Sequence, residues 1–221
     1  MFSTISQEQI TTLYKQEPAV FSQIGQITLN TQAGKELVKN LIAYKPKTIL
    51  EIGTWNGMGT TRCILYALNE YDFHEFISIE CNPVKHQLAI QNNSEFIRGK
   101  EDKIKLLNAT ILEENDWQEA KELFKNEMNQ EWFDGDYANS KSLENIFSKL
   151  NNIDAIVLDG GEYSTYHEYK KLLPLCKSLI FLDDTNTCKC RKIVEELTEN
   201  KDWKLIFHTN ERNGFAIFKK I

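Results

Sequence analysis

The sequence predicts an α/β protein: a seven-stranded, mostly parallel sheet with helices on both faces and an antiparallel hairpin at its C-terminal end. Three observations carry this. From residue 47, short apolar runs alternate with helical segments, the pattern of a parallel sheet covered on both sides. The strands are apolar, and "IDAIVLDG" (153–160) is nearly continuous in apolar residues, as a parallel strand covered on both faces would be. The last two runs are separated by "TNERNG", whose Asn213-Gly214 favours a hairpin turn.

In chain order, "TILEIG" (48–53) is the first strand and "GTTRCILYALNEY" (59–71) the helix after it. "FISIE" (76–80) is the second strand. Asn82 is a good N-cap with Pro83 at the first helical position, opening a helix to about residue 96. "KIKLLNA" (103–109) and "IDAIVLDG" (153–160) are the third and fourth strands, and Thr165 to Glu168 can form a capping box for a helix to about residue 173. "SLIFLDD" (178–184) is the fifth strand, with a helix over 187–200 behind it. "WKLIFH" (203–208) and "GFAIFKK" (214–220) close the sheet. Two segments stand outside the alternation. Residues 1–46 read as an N-terminal helical cap of two helices at the sheet edge. Within the remaining domain, 47–221, residues 112–150 are an insertion holding helices at about 116–129 and 140–150 around "EWFDGDY", and so long a connection suits a lid.

Composition narrows the function. The 221 residues carry a net charge of −6, a poor basis for binding a phosphate backbone, so no nucleic-acid partner is expected. The five cysteines are odd in number, and Cys188-Lys189-Cys190 has no second pair to complete a zinc site. They read as reduced thiols of a cytoplasmic protein. The first sixteen residues show no basic and apolar leader pattern, and no apolar run approaches membrane-spanning length.

Two places hold chemistry. After the first strand comes Glu51-Ile52-Gly53-Thr54-Trp55-Asn56-Gly57-Met58-Gly59, a glycine loop opening a helix, where backbone can turn at positive φ and approach a ligand. The dinucleotide fingerprint fits it badly, because Arg62 stands where that pattern wants a small residue. An acid, Glu80, ends the second strand, and an ionised carboxylate is an acceptor-only group suited to two hydroxyl donors. The second place is the strand end "IFLDDT". Two carboxylates about 5 Å apart repel by roughly 3 kcal/mol at an effective dielectric near 20. Either solvent or a bound cation offsets that. Asp159 ends the neighbouring strand, and strands about 4.8 Å apart bring all three aspartates together.

The nine-residue loop, Glu80 and the order of elements resemble the class I S-adenosylmethionine-dependent methyltransferases, over roughly residues 30–221. The resemblance implies a Rossmann-like fold and a cofactor site made of Glu51, Gly53, Thr54, Trp55, Gly57, Gly59, Glu80, Asn108, Ala109 and Asp159. The Asp159 and Asp183-Asp184 pattern looks like the metal-dependent small-molecule O-methyltransferases of the catechol and macrocin kinds. Carried over, Asp159, Asp183 and Asp184 become ligands of Mg²⁺, which would lower the pKa of an acceptor hydroxyl. Catechol enzymes place a lysine three residues after the fourth-strand Asp; here that residue is Glu162. The proton acceptor is then Asp159, Glu162 or His167. The activity implied is O-methylation of a small hydroxylated acceptor, a sugar or glycan-related molecule ahead of a catechol, with a homodimer as the assembly. A metal-independent methyltransferase and a nicotinamide-dependent oxidoreductase are the alternatives.

Overall fold

The computed structural model describes residues 24–221 together with Thr11 and Val20. The first of the two N-terminal helices lies outside the described residues. The chain runs α1 (Gln32–Tyr44), β1 (Thr48–Ile52), α2 (Thr60–Ala67), β2 (Glu75–Glu80), α3 (Pro83–Asn92), α4 (Ser94–Ile97), β3 (Ile104–Asn108), α5 (Glu114–Phe124), α6 (Gln130–Ser140), β4 (Ile153–Leu158), α7 (Thr165–Leu172), β5 (Cys176–Asp183), α8 (Arg191–Glu199), β6 (Trp203–Thr209) and β7 (Phe215–Lys220).

The seven strands order as β3-β2-β1-β4-β5-β7-β6. All neighbouring pairs are parallel except β5 with β7 and β6 with β7. Strand order reverses between β1 and β4, so the carboxyl ends of these two strands open the crevice where ligands bind in such sheets. One apolar core packs under α1 and α2, from Leu37, Leu41 and Ile64 to Ile49, Val157 and Phe181. The other joins the opposite face to α5 through α8, from Trp117, Phe133 and Tyr169 to Ile156, Ile180 and Leu182. The N-terminal helix α1 packs beside α2 and reaches the β6–β7 hairpin at one end of the sheet.

Side-chain caps start α1, α3, α5 and α6. Asn82 caps α3 as expected, its Oδ1 accepting from the Val84 and Lys85 amides. The insertion differs from expectation. "EWFDGDY" is itself helical, because Asn129 caps it by accepting from the Trp132 amide at 3.2 Å and Glu131 lies in its first turn. Residues 141–150 instead form turns that return to β3, with the Ile146 amide donating to the Thr110 carbonyl at 2.9 Å. The Thr165–Glu168 capping box does not form either. Ser164 is the N-cap, and the Thr165 hydroxyl donates to the Gly161 carbonyl at 2.8 Å.

The sharpest packing constraint lies at the switch point. Gly53 has φ +94°, its amide donates to the Ile79 carbonyl at 2.9 Å, and the Asp159 amide donates to the Ile52 carbonyl at 2.9 Å. A Cβ on Gly53 would sit 2.0 Å from the Asp159 carbonyl oxygen. Backbone of β1 and backbone of β4 therefore touch with no room between them. Gly53→Ala should lower unfolding free energy by about 3 kcal/mol or more, since it combines overlap with a disfavoured φ; urea denaturation measures this, and an unchanged midpoint would refute the account.

Candidate functional site

A cavity of about 610 Å³ opens over the carboxyl ends of β1, β2 and β4. Its floor is Ile52, Gly53 and Ile79, and its walls are the turns after β2, β3 and β4 together with one side of α6. Among the described residues, six carboxylates face it (Glu80, Glu131, Asp136, Asp159, Glu162 and Glu168) and one lysine, Lys85. Such a lining favours a cationic ligand.

The glycine loop divides into parts with different jobs. Gly53 and Trp55 line the cavity. Gly57 and Gly59 do not: a Cβ on Gly57 would strike the Asn93 amide nitrogen at 2.3 Å, and one on Gly59 would lie 3.0 Å from the Gly25 Cα. Those two glycines let α3 and the N-terminal segment close in behind the loop. Thr54 and Glu51 lie beneath it. The Thr61 and Ser78 hydroxyls donate to Glu51 Oε2 at 2.8 and 2.6 Å, and Thr54 Oγ1 lies 2.5 Å from Ser78 Oγ. This buried chain of hydroxyls ties the loop to β1, β2 and α2. Burial, more than any neighbouring charge, pushes the Glu51 carboxyl up to about 8.

Trp55 adopts φ +51°, an outlier for a bulky side chain. Two contacts hold it. Its amide donates to Glu80 Oε2 at 2.8 Å, and its side chain packs against the apolar cluster of Val20 and Val84. Glu80 Oε1 accepts from the Asn82 amide at 2.9 Å. The Cys81 thiol also donates to Oε1 at 3.9 Å, so the carboxylate is fixed at the cavity wall with Oε2 keeping a further lone pair. Burial raises its pKa, partly opposed by Lys85 and the two backbone amides. Ala109 lines the cavity, whereas Asn108 turns its amide back to donate to the Glu80 and Cys81 carbonyls at 2.8 and 3.1 Å.

Glu168 was not legible as a site residue. Gly160 makes space for it, since a Cβ there would lie 2.9 Å from Glu168 Oε2. That oxygen is buried and has no hydrogen-bond partner. Burial, then the charge of Asp136, raises the carboxyl to about 8. His167 points elsewhere: it is buried against α5, its Nε2 3.9 Å from Glu119, and it does not line the cavity. Burial lowers its pKa. Tyr163 and Tyr166 are also core residues, the first taking the Asn129 amide on its hydroxyl and the second donating to Glu196. Glu162 lines the cavity, and its Oε1 accepts from the Cys188 thiol at 3.1 Å. All five cysteines are free.

Asp159, Asp183 and Asp184 converge, with one oxygen from each lying within 4.8 Å of the others. A lysine sits among them. Lys189 Nζ is 2.9 Å from Asp159 Oδ1, 2.9 Å from Asp184 Oδ2 and 3.9 Å from Asp183 Oδ2. Arg212, on the β6–β7 turn, lies 3.1 Å from Asp184 and 3.7 Å from Asp183. The Thr60 hydroxyl donates to Asp159 Oδ2 at 2.8 Å. Asp183 is pushed up to about 8, by burial and then by the charge of Asp159. Burial works the same way on Asp184, but Lys189 and Arg212 pull it below the ordinary carboxylate range. Burial alone would lower Lys189, yet the three aspartates hold it well above the usual lysine range. With this ammonium seated, the aspartates do not fit a divalent ion: their converging oxygens already have their cation.

No protein-family model matches the chain, and no curated protein matches it. Solved structures do. An O-methyltransferase from Bacillus cereus in complex with SAH is 14% identical with a TM-score of 0.59, covering 99% of this chain and 93% of its own. An SAH-bound Podospora anserina methyltransferase is 14% identical with a TM-score of 0.60, over 98% and 89% of the two chains. A putative caffeoyl-CoA O-methyltransferase from Staphylococcus aureus is 14% identical with a TM-score of 0.59, over 97% and 98%. The chain has the methyltransferase fold. The Rossmann-like sheet with its terminal antiparallel hairpin follows that fold from end to end. Among the described residues, no helix is long and apolar enough to cross a membrane.

The buried acid under the loop has a pH signature. A carboxyl raised from 4.5 to about 8 in the folded state takes up a proton on folding, so its contribution is complete at low pH and is lost as pH rises through about 8. Glu168 and Asp183 share this direction. Glu51→Gln should therefore flatten part of the fall in stability between pH 6 and 9 and leave the variant on the order of 2 kcal/mol more stable than wild type at pH 9. Urea unfolding at both pH values tests it; parallel losses in the two proteins would refute it.

Proposed function

We propose that the protein is an S-adenosylmethionine-dependent O-methyltransferase acting on a small hydroxylated acceptor, with a sugar or glycan-related molecule as the favoured class. The observation that carries this is the Glu80 carboxylate, held by two backbone amides at the wall of a cavity floored by Gly53. The chemistry of the lining fits the cofactor. Glu80 offers oxygen acceptors to a ribose diol, Gly53 leaves the floor without a side chain, and the excess of carboxylates suits a ligand bearing a sulfonium and an ammonium group. When bound, that cofactor supplies an electrophilic methyl group.

The chain's own residues do the rest. Trp55 and the turn carrying Ala109 and Thr110 bound the cavity on either side and restrict where a ligand can lie, which is the positional contribution an in-line displacement needs. Glu131, Asp136, Asn139 and Glu162 present hydrogen-bond acceptors along one side, a wall suited to several hydroxyl donors. Asp159 has both oxygens engaged by Thr60 and Lys189. His167 faces α5. That leaves Glu162 as the group we assign to accept the acceptor's proton. No step passes through a metal, so the metal-independent form of the activity is the one proposed. The nicotinamide alternative is disfavoured by Arg62, whose side chain donates to Asn92 and Asn93 and fills the region behind the loop.

Calorimetry with S-adenosylmethionine and with NAD should show uptake of the first only, and Glu80→Ala should weaken it at least about tenfold, the cost of losing a charge-assisted acceptor. Folded protein that takes up no S-adenosylmethionine would end this reading. In turnover assays over hydroxylated acceptors, Glu162→Gln should lower kcat by about 100-fold with the cofactor affinity unchanged, while exhaustive chelation leaves the wild-type rate intact.

A further inference from the structure

The loop between β5 and α8 carries Lys189 inward, and its side chain is only 6% exposed. Its neighbours explain the fold of the loop. Asp184 takes φ +51°, a conformation that aspartate tolerates better than most residues. The Thr187 hydroxyl donates to the Asp184 carbonyl at 3.1 Å and accepts from the Lys189 amide at 3.2 Å. These bonds fold Thr185 to Cys190 into turns and start α8 only at Arg191. The lysine therefore leaves the helix it would otherwise have begun, and its ammonium reaches the point on which the three aspartates converge.

We propose that Lys189 is a tethered substitute for a divalent cation: its ammonium holds the place between Asp159, Asp183 and Asp184, excludes metal ions from it, and its truncation creates a metal site. An ammonium is a compact point charge with three donors, and here three carboxylates surround it. Arg212 closes the solvent side of the Asp183-Asp184 pair, and Thr60 fixes the free oxygen of Asp159. Without the lysine, three oxygens within 4.8 Å of one another would face a space the size of an aminobutyl chain. Oxygen ligands, two or more of them charged, with room for water, are what Mg²⁺ and Mn²⁺ select.

The test uses Mn²⁺ as probe, read by electron paramagnetic resonance and by thermal melting, on chelator-treated protein. Wild type should bind no Mn²⁺ at micromolar concentration and melt at the same temperature with chelator, Mg²⁺ or Mn²⁺. Lys189→Ala should take up one Mn²⁺ per chain, melt at least about 5 °C lower in chelator, and recover on adding Mn²⁺; Asp184→Asn in that background should abolish the uptake. Lys189→Met, which fills the space without charge, should melt low and not recover. Stoichiometric Mn²⁺ binding by wild type overturns the proposal, as does a Lys189→Ala protein that binds none or stays unfolded with Mn²⁺ as without it. The readout is independent of S-adenosylmethionine uptake, so this proposal and the functional reading fail separately.

Discussion

The close approach of two backbones, β1 at Gly53 and β4 at Asp159, is the constraint on which the site depends. The glycine has no side chain because the Asp159 carbonyl occupies that space. This contact sets the height of the crevice floor and brings the Asp159 side chain to the cavity wall. From there the order of consequence runs outward. Trp55 is forced into a strained turn, Glu80 secures that turn through its amide, and the hydroxyl chain of Thr54, Ser78 and Glu51 supports the loop from below. The glycines of the loop thus serve mainly close packing of polypeptide on polypeptide. Only Gly53 also serves the cavity.

Charge is organised in two separate ways a few residues apart. Inside the cavity the carboxylates outnumber the cations, and burial rather than ion pairing governs Glu80 and Glu168. Beside it, the Asp159-Asp183-Asp184 group is compensated from within the chain by Lys189 and Arg212. A buried carboxylate group of this kind is strongly destabilising when it loses its partner, so Lys189 from the β5–α8 loop and Arg212 from the β6–β7 turn act together on it. Asp159 belongs to both systems, one edge on the cavity and both oxygens committed to Thr60 and Lys189.

The central strands were legible because they bury both faces and so read as apolar runs, β4 and β5 most clearly, whereas β3 and β6 carry exposed polar positions. The parallel order, the hairpin at Asn213-Gly214, the cap at Asn82 and the convergence of three aspartates all follow from local pattern plus strand spacing. Other features depended on tertiary context. "TCKCRK" reads as the start of a helix, whereas the left-handed Asp184 and the Thr187 hydrogen bonds turn Lys189 inward; a lysine five residues beyond a double aspartate was the available signal. Glu168 matched a capping box by spacing, but the space left by Gly160 drew it into the cavity wall. The segment "EWFDGDY" was expected between two helices and is itself helical, because the Asn129 cap outweighs one glycine on an open face. His167 sits on a helix whose inward direction no single sequence discloses.

A cation carried on the polypeptide differs from a captured one in supply. An ion site fills according to free concentration and empties when chelators or competing metals compete for it. A lysine is present once per molecule from the moment of synthesis and cannot be exchanged for a different element. It also brings a fixed direction of approach and a single charge. On this reading the positive charge beside the crevice is written into the sequence and does not depend on which metals the cell supplies.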